Sequence, residues 1–455
     1  MLTSKPYIHF TSYSGLINWS VQYLFDTRVS YIDKYQLVRI GEFLKRNRTV
    51  IDIEDNKEYK RVTIKINNGG TFLRDIQKGT NIGTKKQFVI SEGQFLLSKI
   101  DARNGAFGVV PKLLDRAIVT NDFPAFDVDV TKILPHYLLL VTTTKMFMKF
   151  VQSCSSGTTN RQRMDIEKFL IQKIPLPSLE EQNRIVKSYS TYIRQAETSE
   201  QQANDLEKDI DEYLFDTLGI QLKVKKNPLS TLTLINSSNI KEWGVSKILE
   251  QKEYLSSKYE VVSFDSSFGL FREILRGKSP KYSNQSSSII LNQKCNRWNE
   301  IELSHAKSVC DKWINSLNKN HFTKVGDIII NSTGEGTIGR ASTIKDSLEN
   351  LMYDNHILLL RINPQKIFPN YFTILFNSRY GQHQINSLKS AETTKQTELG
   401  IGNLKKFKFP LPNLSDQEII ANHIQNLKNE ILTLRQNAEE NRKRAIKNFK
   451  NEIFE

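Results

Sequence analysis

Two kinds of apolar pattern alternate along this chain. Short runs come first: Val62-Thr-Ile-Lys-Ile66, Gln94-Phe-Leu-Leu97, Gly108-Val-Val110 and Ala117-Ile-Val119, divided by Asn, Gly, Asp and Lys. They predict brief strands, and Ile289-Ile-Leu291, Asp327-Ile-Ile-Ile330 and His356-Ile-Leu-Leu-Leu360 repeat the theme later. Proline-opened segments predict helices at Pro135 to Gln152 and Pro369 to Ser387. The period then changes. Ile185, Tyr189, Tyr192, Ala196, Ser199, Ala203, Leu206, Ile210 and Tyr213 follow one another at alternating spacings of four and three. Ile420, Ile424, Leu427, Ile431, Leu434, Ala438 and Asn441 do the same before a shift to Ile446, Phe449 and Ile453. A sustained 3.5-residue period is a coiled-coil seam. Each helix should run for roughly 40 residues, about 60 Å at 1.5 Å per residue.

The same unit is written twice. Thr158-Thr159, Pro175-Leu176-Pro177 and Gln182 return as Thr393-Thr394, Pro410-Leu411-Pro412 and Gln417, each displaced by 235. Trp19 and Val21 match Trp243 and Val245, Tyr35 matches Tyr259, Gly93 matches Gly326, and Tyr137 matches Tyr371. The division expected is a module over 1–177, a helix over 178–219, a second module over 220–412 and a second helix over 413–455. The prolines bring the chain into each helix extended, and Ser178-x-x-Glu181 or Ser415-x-x-Glu418 can form a capping box. The modules read as α+β. An apolar stripe of this length needs cover, and its own repeat has the matching period. Two-fold placement runs the helices antiparallel, although Glu207 to Glu212 would face Arg442 to Lys447 better in a parallel pair.

Charge sharpens this picture. The net formal charge is +15, yet Glu180 to Leu218 is net −6 and Ser415 to Glu455 is neutral, which leaves +21 on the rest. A basic excess confined to the modules attracts a polyanion. Cys154, Cys295 and Cys310 form no even framework, the start lacks a secretory apolar region, and no run approaches membrane length. An intracellular, disulfide-free protein is expected.

The paired Pro-Leu-Pro elements leading into long helices, with Ser98-Lys-Ile-Asp-Ala-Arg-Asn-Gly-Ala-Phe-Gly108, Asn331-Ser-Thr-Gly-Glu-Gly-Thr-Ile-Gly339 and Ile274-Leu-Arg-Gly-Lys-Ser-Pro280, resemble the specificity subunit of type I restriction-modification enzymes. The resemblance covers nearly the whole chain. It implies that each module is a target recognition domain reading one half of a bipartite double-stranded DNA sequence. It implies also that the antiparallel helices set the spacing and dock two methyltransferase subunits, to which restriction subunits can be added. The reactive chemistry, with S-adenosylmethionine, ATP and Mg, then belongs to those partners, and this chain holds no cofactor.

Catalytic readings fare poorly on the residues themselves. Gly334-x-Gly336-x-x-Gly339 follows a strand, but Arg340-Ala-Ser-Thr-Ile344 is no amphipathic helix, so a glycine-rich turn is the better reading. Gly277-Lys278-Ser279 has Arg272 where a phosphate-binding loop needs glycine. Cys295, His305, Cys310 and His321 fit no zinc spacing, and no metal is expected. Glu58-x-Lys60 is common on surfaces, and the Asn/Asp-Pro-Pro-aromatic signature of amino-methyltransferases is absent. The rival functions are a coiled-coil scaffold with protein-binding modules and a self-contained DNA modification enzyme.

Residue type and loop position nominate the DNA contacts. In the first module these are Lys99, Arg103, Asn104, Asn160 and Arg161, with Arg74, Lys85 and Lys86 nearer the backbone. In the second they are Lys278, Lys281, Tyr282, Asn296, Arg297, Arg340 and Lys395. Gln182 and Gln417 are candidates for fixing the partner junction, with helix capping as the alternative.

Overall fold

The computed structural model describes residues 31–142, 144–156, 163–223, 254–264, 269–334, 336–391 and 397–454. Trp19, Val21, Trp243, Val245 and both repeated threonine pairs lie outside the described residues. Compactness divides the chain differently from the four segments expected: one unit joins Met1–Ser199 to Gln436–Glu455, and the other is Glu200–Arg435. The helices are therefore shared between units.

The first unit is built on strands β1 (Leu44–Arg46), β2 (Phe95–Leu97), β3 (Phe107–Val109) and β4 (Ala125–Val128), followed by α1 (Pro135–Thr142), α2 (Lys145–Ser153) and the long α3 (Leu179–Leu218). The second repeats them as β5 (Phe271–Arg276), β6 (Ile328–Asn331), β7 (Ala341–Thr343), β8 (Ile357–Ile362), α4 (Pro369–Asn377), α5 (Arg379–Leu388) and α6 (Leu414–Ile453). The sheet orders are identical, β1-β4-β2-β3 and β5-β8-β6-β7. Registers agree as well: Phe126 pairs with Phe95 and Arg46, and Leu360 pairs with Ile328 and Ile274. The repeat seen in sequence is thus a repeat of topology.

Each expected proline-opened helix is two helices. Thr144 caps α2 by accepting from the Phe147 amide, and Ser378 caps α5 by accepting from that of Gly381. A residue that is capping is held in extended backbone, which breaks the helix before it. What differs between units is the insertion in each. Unit one adds a five-stranded sheet containing the long hairpin Glu58–Lys65 and Gly70–Lys78. Unit two adds a three-stranded sheet around Ile289–Leu291.

Inside each unit the helix segments run antiparallel. In unit one Arg184, early in α3, meets Glu452, late in α6, at 2.8 Å, and Tyr189 packs edge-on against Phe449. In unit two Tyr213 lies 4.2 Å from His423 between ring centroids, and Arg435 pairs with Glu207 at 2.8 Å. The acidic cluster therefore finds a cation in the antiparallel arrangement, because Arg435 reaches Glu207 while Asp211 accepts from the Arg379 amide. The seam of α3 follows the expected positions. That of α6 does not shift to Ile446, which is 47 % exposed; Ala445 is buried instead. The seam keeps its period through small or long-stemmed side chains, such as Ala421 and Lys428, that apolarity alone passes over. Burial pushes the Lys428 ammonium down to about 8.

Each unit's core needs helix ends from distant parts of the chain. Unit one buries Ile185, Phe449, Ile453 and Phe454 beside Phe95, Phe126 and Tyr137. Unit two buries Leu214, Leu218, Ile420 and Ile424 beside Phe372 and Leu360. The Ile32 amide donates to the Ile453 carbonyl, so the last turn of α6 closes the unit that begins the described chain.

The junction before each helix is also duplicated. Tyr35 donates to Glu181 at 3.0 Å and Tyr259 to Asp416 at 3.3 Å, while Tyr137 and Tyr371 donate to the Pro175 and Pro410 carbonyls. Ser178 supplies its half of the expected capping box by accepting from the Glu181 amide, while the Glu181 carboxylate accepts from Lys34, Tyr35 and Arg184. The cap of α6 is Asn413, whose side chain accepts from the Asp416 amide, so Ser415 lies inside the helix rather than before it.

Two outcomes follow. Phe449→Ala should cost about 3–5 kcal/mol and speed amide exchange through 31–199 while leaving 254–435 protected; uniform loss in both units would contradict this division of the core. Glu181 is held down to about 2 by hydrogen bonds from Arg184, Tyr35 and Lys34. A folded value below the unfolded one gives stability that is full above the ordinary carboxylate range, about 4.3, and is lost as pH falls toward 2. Glu181→Gln should accordingly flatten the acid limb of the unfolding curve in that window.

Candidate nucleic-acid interface

In both units the loop after the second sheet strand projects polar groups, and the same backbone contacts hold it. The Met164 amide donates to the Lys99 carbonyl, and the Leu399 amide to that of Ser332; Lys99 and Ser332 in turn donate to the carbonyls of Asp122 and His356. The segments Arg163–Met164 and Thr397–Glu398 that receive the loops are edges of small two-stranded ribbons. Glycine is required at the turns: Gly105 has φ +82°, and an added Cβ would lie 2.5 Å from Asn68 Oδ1; Gly334 has φ +98° with Gln293 Oε1 equally close.

Unit one gathers cations here. Lys99 sits beside Arg46, Arg163 and Asp122; burial, then Arg46, push its ammonium below the usual range, with Asp122 opposing. Arg163 forks onto Asp122 at 3.0 and 3.1 Å, and Arg46 donates to Asn121 at 2.7 Å. Arg46 and Arg163 were not nominated from sequence. Arg163 follows closely on the nominated Arg161, but Arg46 reaches the loop only through β1–β4 pairing, which no local signal announces.

The other nominees of unit one are scattered. The Arg103 carbonyl accepts from Gln152, and the Asn104 carbonyl accepts from the Asn67 amide. Arg74 lies exposed on the hairpin, 3.9 Å from Asp75. Lys85 pairs with Asp55 at 2.6 Å, and Lys86 opens an adjoining strand, exposed. Asn160 and Arg161 lie outside the described residues, as does Lys395.

In unit two, Asn296 is a correction. It is fully buried, its Nδ2 donating to the Ile329 and Arg340 carbonyls and to Asn331, and its Oδ1 accepting from Ser342. With both ends of its amide occupied in the core, it braces the loop and cannot reach DNA. Its neighbour Arg297 binds Glu302 and His305. Arg340 lies 5.6 Å over the exposed Trp298 ring and donates to the Gly336 carbonyl. Tyr282 is 54 % exposed under Lys307. Lys278 and Lys281 are exposed, and the Lys278 backbone forms an isolated parallel β-bridge with Asp354.

Gln182 and Gln417 are both fully buried. Gln182 donates to the Lys132 and Pro177 carbonyls and accepts from the Leu134 amide; Gln417 does the same with Lys366, Pro412 and Phe368. Their amides are spent inside their own units, so they are internal clasps and not a surface for a partner. Among the described residues no His, Cys, Asp and Glu group could hold a metal ion, and no helix is long and apolar enough to cross a membrane.

A twice-built α+β module with a polar loop held by the same backbone contacts, each copy sharing a pair of long helices, defines a tandem-repeat recognition protein. The chain belongs to the family described as type I restriction modification DNA specificity domain, which matches residues 32–208 and 272–441. It is 22 % identical over 434 residues to the MjaVIII type I restriction enzyme specificity subunit of Methanocaldococcus jannaschii, covering 92 % of each chain. A solved structure concerned with complex assembly and conformational transition of the type I R-M system shares its fold, with a TM-score of 0.53, 14 % identity, and 92 % of this chain and 97 % of that one covered. The HsdS subunit from Thermoanaerobacter tengcongensis gives 0.46 at 14 % identity over 92 % and 96 %.

Asn296→Ala should lower the stability of unit two by about 1–3 kcal/mol, the cost of leaving buried carbonyls unpaired. Urea unfolding followed by exchange within 269–391 checks this, and an unchanged midpoint would return Asn296 to the surface candidates.

Proposed function

We propose that this chain is the non-catalytic DNA specificity subunit of a type I restriction-modification complex, acting in the cytoplasm. Each unit reads one half of a bipartite duplex target. The two helices set the number of unspecified base pairs between halves and dock two methyltransferase subunits, with restriction subunits added in the full enzyme. S-adenosylmethionine, ATP and Mg are bound by those partners.

The observation that carries this reading is one sheet topology built twice in a single chain, within a family of DNA specificity domains. Two readers on one chain require a two-part target, and duplex DNA supplies the polyanion that a pI near 9.4 favours. The helices support a spacer role because each is a continuous 40-residue element. Outward positions support docking: Leu432 and Ile446, two heptads apart on one face of α6, are 57 % and 47 % exposed, so a partner helix laid along that face would bury them. A scaffold whose modules bind protein leaves the basic excess of the modules unexplained.

Removing one heptad from the same level of both helices shortens each by about 10 Å, or about three base pairs of duplex. Methylation mapping in cells that supply the partner subunits should then show a shorter gap between unchanged half-sites. Altered half-sites with the gap unchanged would refute the spacer role.

A further inference from the structure

The two loop sites are equivalent in backbone but differ in charge. The shared register and loop contacts place Arg46, Lys99, Asp122 and Arg163 of unit one at the positions of Ile274, Ser332, His356 and Glu398 in unit two. The formal charge of these four is +2 in unit one and −1 in unit two, with histidine neutral. Glu398 is answered by Arg276, which donates to it from β5, so unit two is left close to neutral there among the described residues.

What replaces the cations is a neutral hydrogen-bonding group. Thr333 Oγ1 lies 2.7 Å from His356 Nδ1 and 3.4 Å from Gln293 Oε1. His356 is exposed, and Thr333 and Gln293 are half-buried. In unit one the Arg163 fork is already committed to Asp122, which leaves it as a charge more than as a bidentate reader, and Lys99 is a compact ammonium without planar preference. Arg163 on Asp122, Arg46 on the adjacent Asn121 and Lys99 beside both repel one another, and an arriving phosphate relieves that repulsion.

Resting on the duplex-reading function above, we infer that the two sites do different work: the Arg46–Lys99–Arg163 cluster grips the phosphate backbone, while Thr333, His356 and Gln293 discriminate base edges. Phosphate contacts release counterions and steepen salt dependence, whereas neutral base contacts carry sequence information without doing so.

The full chain, purified with any subunits that accompany it, is titrated into a fluorescent mixed-sequence DNA duplex over a KCl series, and its preferred sequences are recovered from a randomised duplex pool. Arg46→Gln with Lys99→Gln should flatten the log–log salt slope by about one to two, at about 0.9 per phosphate contact, with the recovered half-sites unchanged. Lys99→Arg should keep the slope, which separates lost charge from lost folding. Thr333→Val and His356→Gln should keep the slope and change the bases recovered in one half-site. An unaltered slope in the first pair, or an equal fall in the second, overturns the division of labour while leaving duplex reading intact. Absence of salt-dependent duplex binding by the unaltered chain overturns both.

Discussion

A seam of period 3.5 along two 40-residue helices cannot stay in water, and covering it is the constraint from which the other features follow. Antiparallel pairing meets it in both units, with Tyr189 on Phe449 in one and Tyr213 on His423 in the other. Because the pairing is antiparallel, the end of α6 must finish the core that starts at Tyr31, and the start of α6 must finish the other. Stability is thereby spread over contacts distant in sequence, and neither core is complete without both helices.

The second requirement is a fixed angle between module and helix. Buried Gln182 and Gln417 each satisfy three backbone groups where the chain turns from Pro-Leu-Pro into the helix. A buried amide has two donors and an acceptor, so one side chain can bind both the turn before the helix and the strand-to-helix connection of the module. Leaving those carbonyls unpaired would cost more than any surface contact the same residue could make. This is why a polar residue recurs at both junctions without facing a partner.

On that rigid frame the inserted segments and loops vary. The sheets match strand for strand, while the insertions differ in strand number and the loop sites differ in charge. A framework that is repeated and loops that diverge support the proposed reading of two unlike half-sites.

The doubling, the helix period, the basic excess of the modules and the α+β character were legible in the chain itself, because each is a matter of spacing or composition. The glycine-rich turn at Gly334 was legible too, from its spacing after a strand. Tertiary structure alone decided the rest. It split each proline-opened helix at a capping residue, kept the α6 seam on Ala445 instead of Ile446, withdrew Asn296 into the core and brought Arg46 beside Lys99 and Arg163. These depend on which strands pair and which side chains meet across them, and pairing between residues tens of positions apart leaves no periodic mark in the sequence.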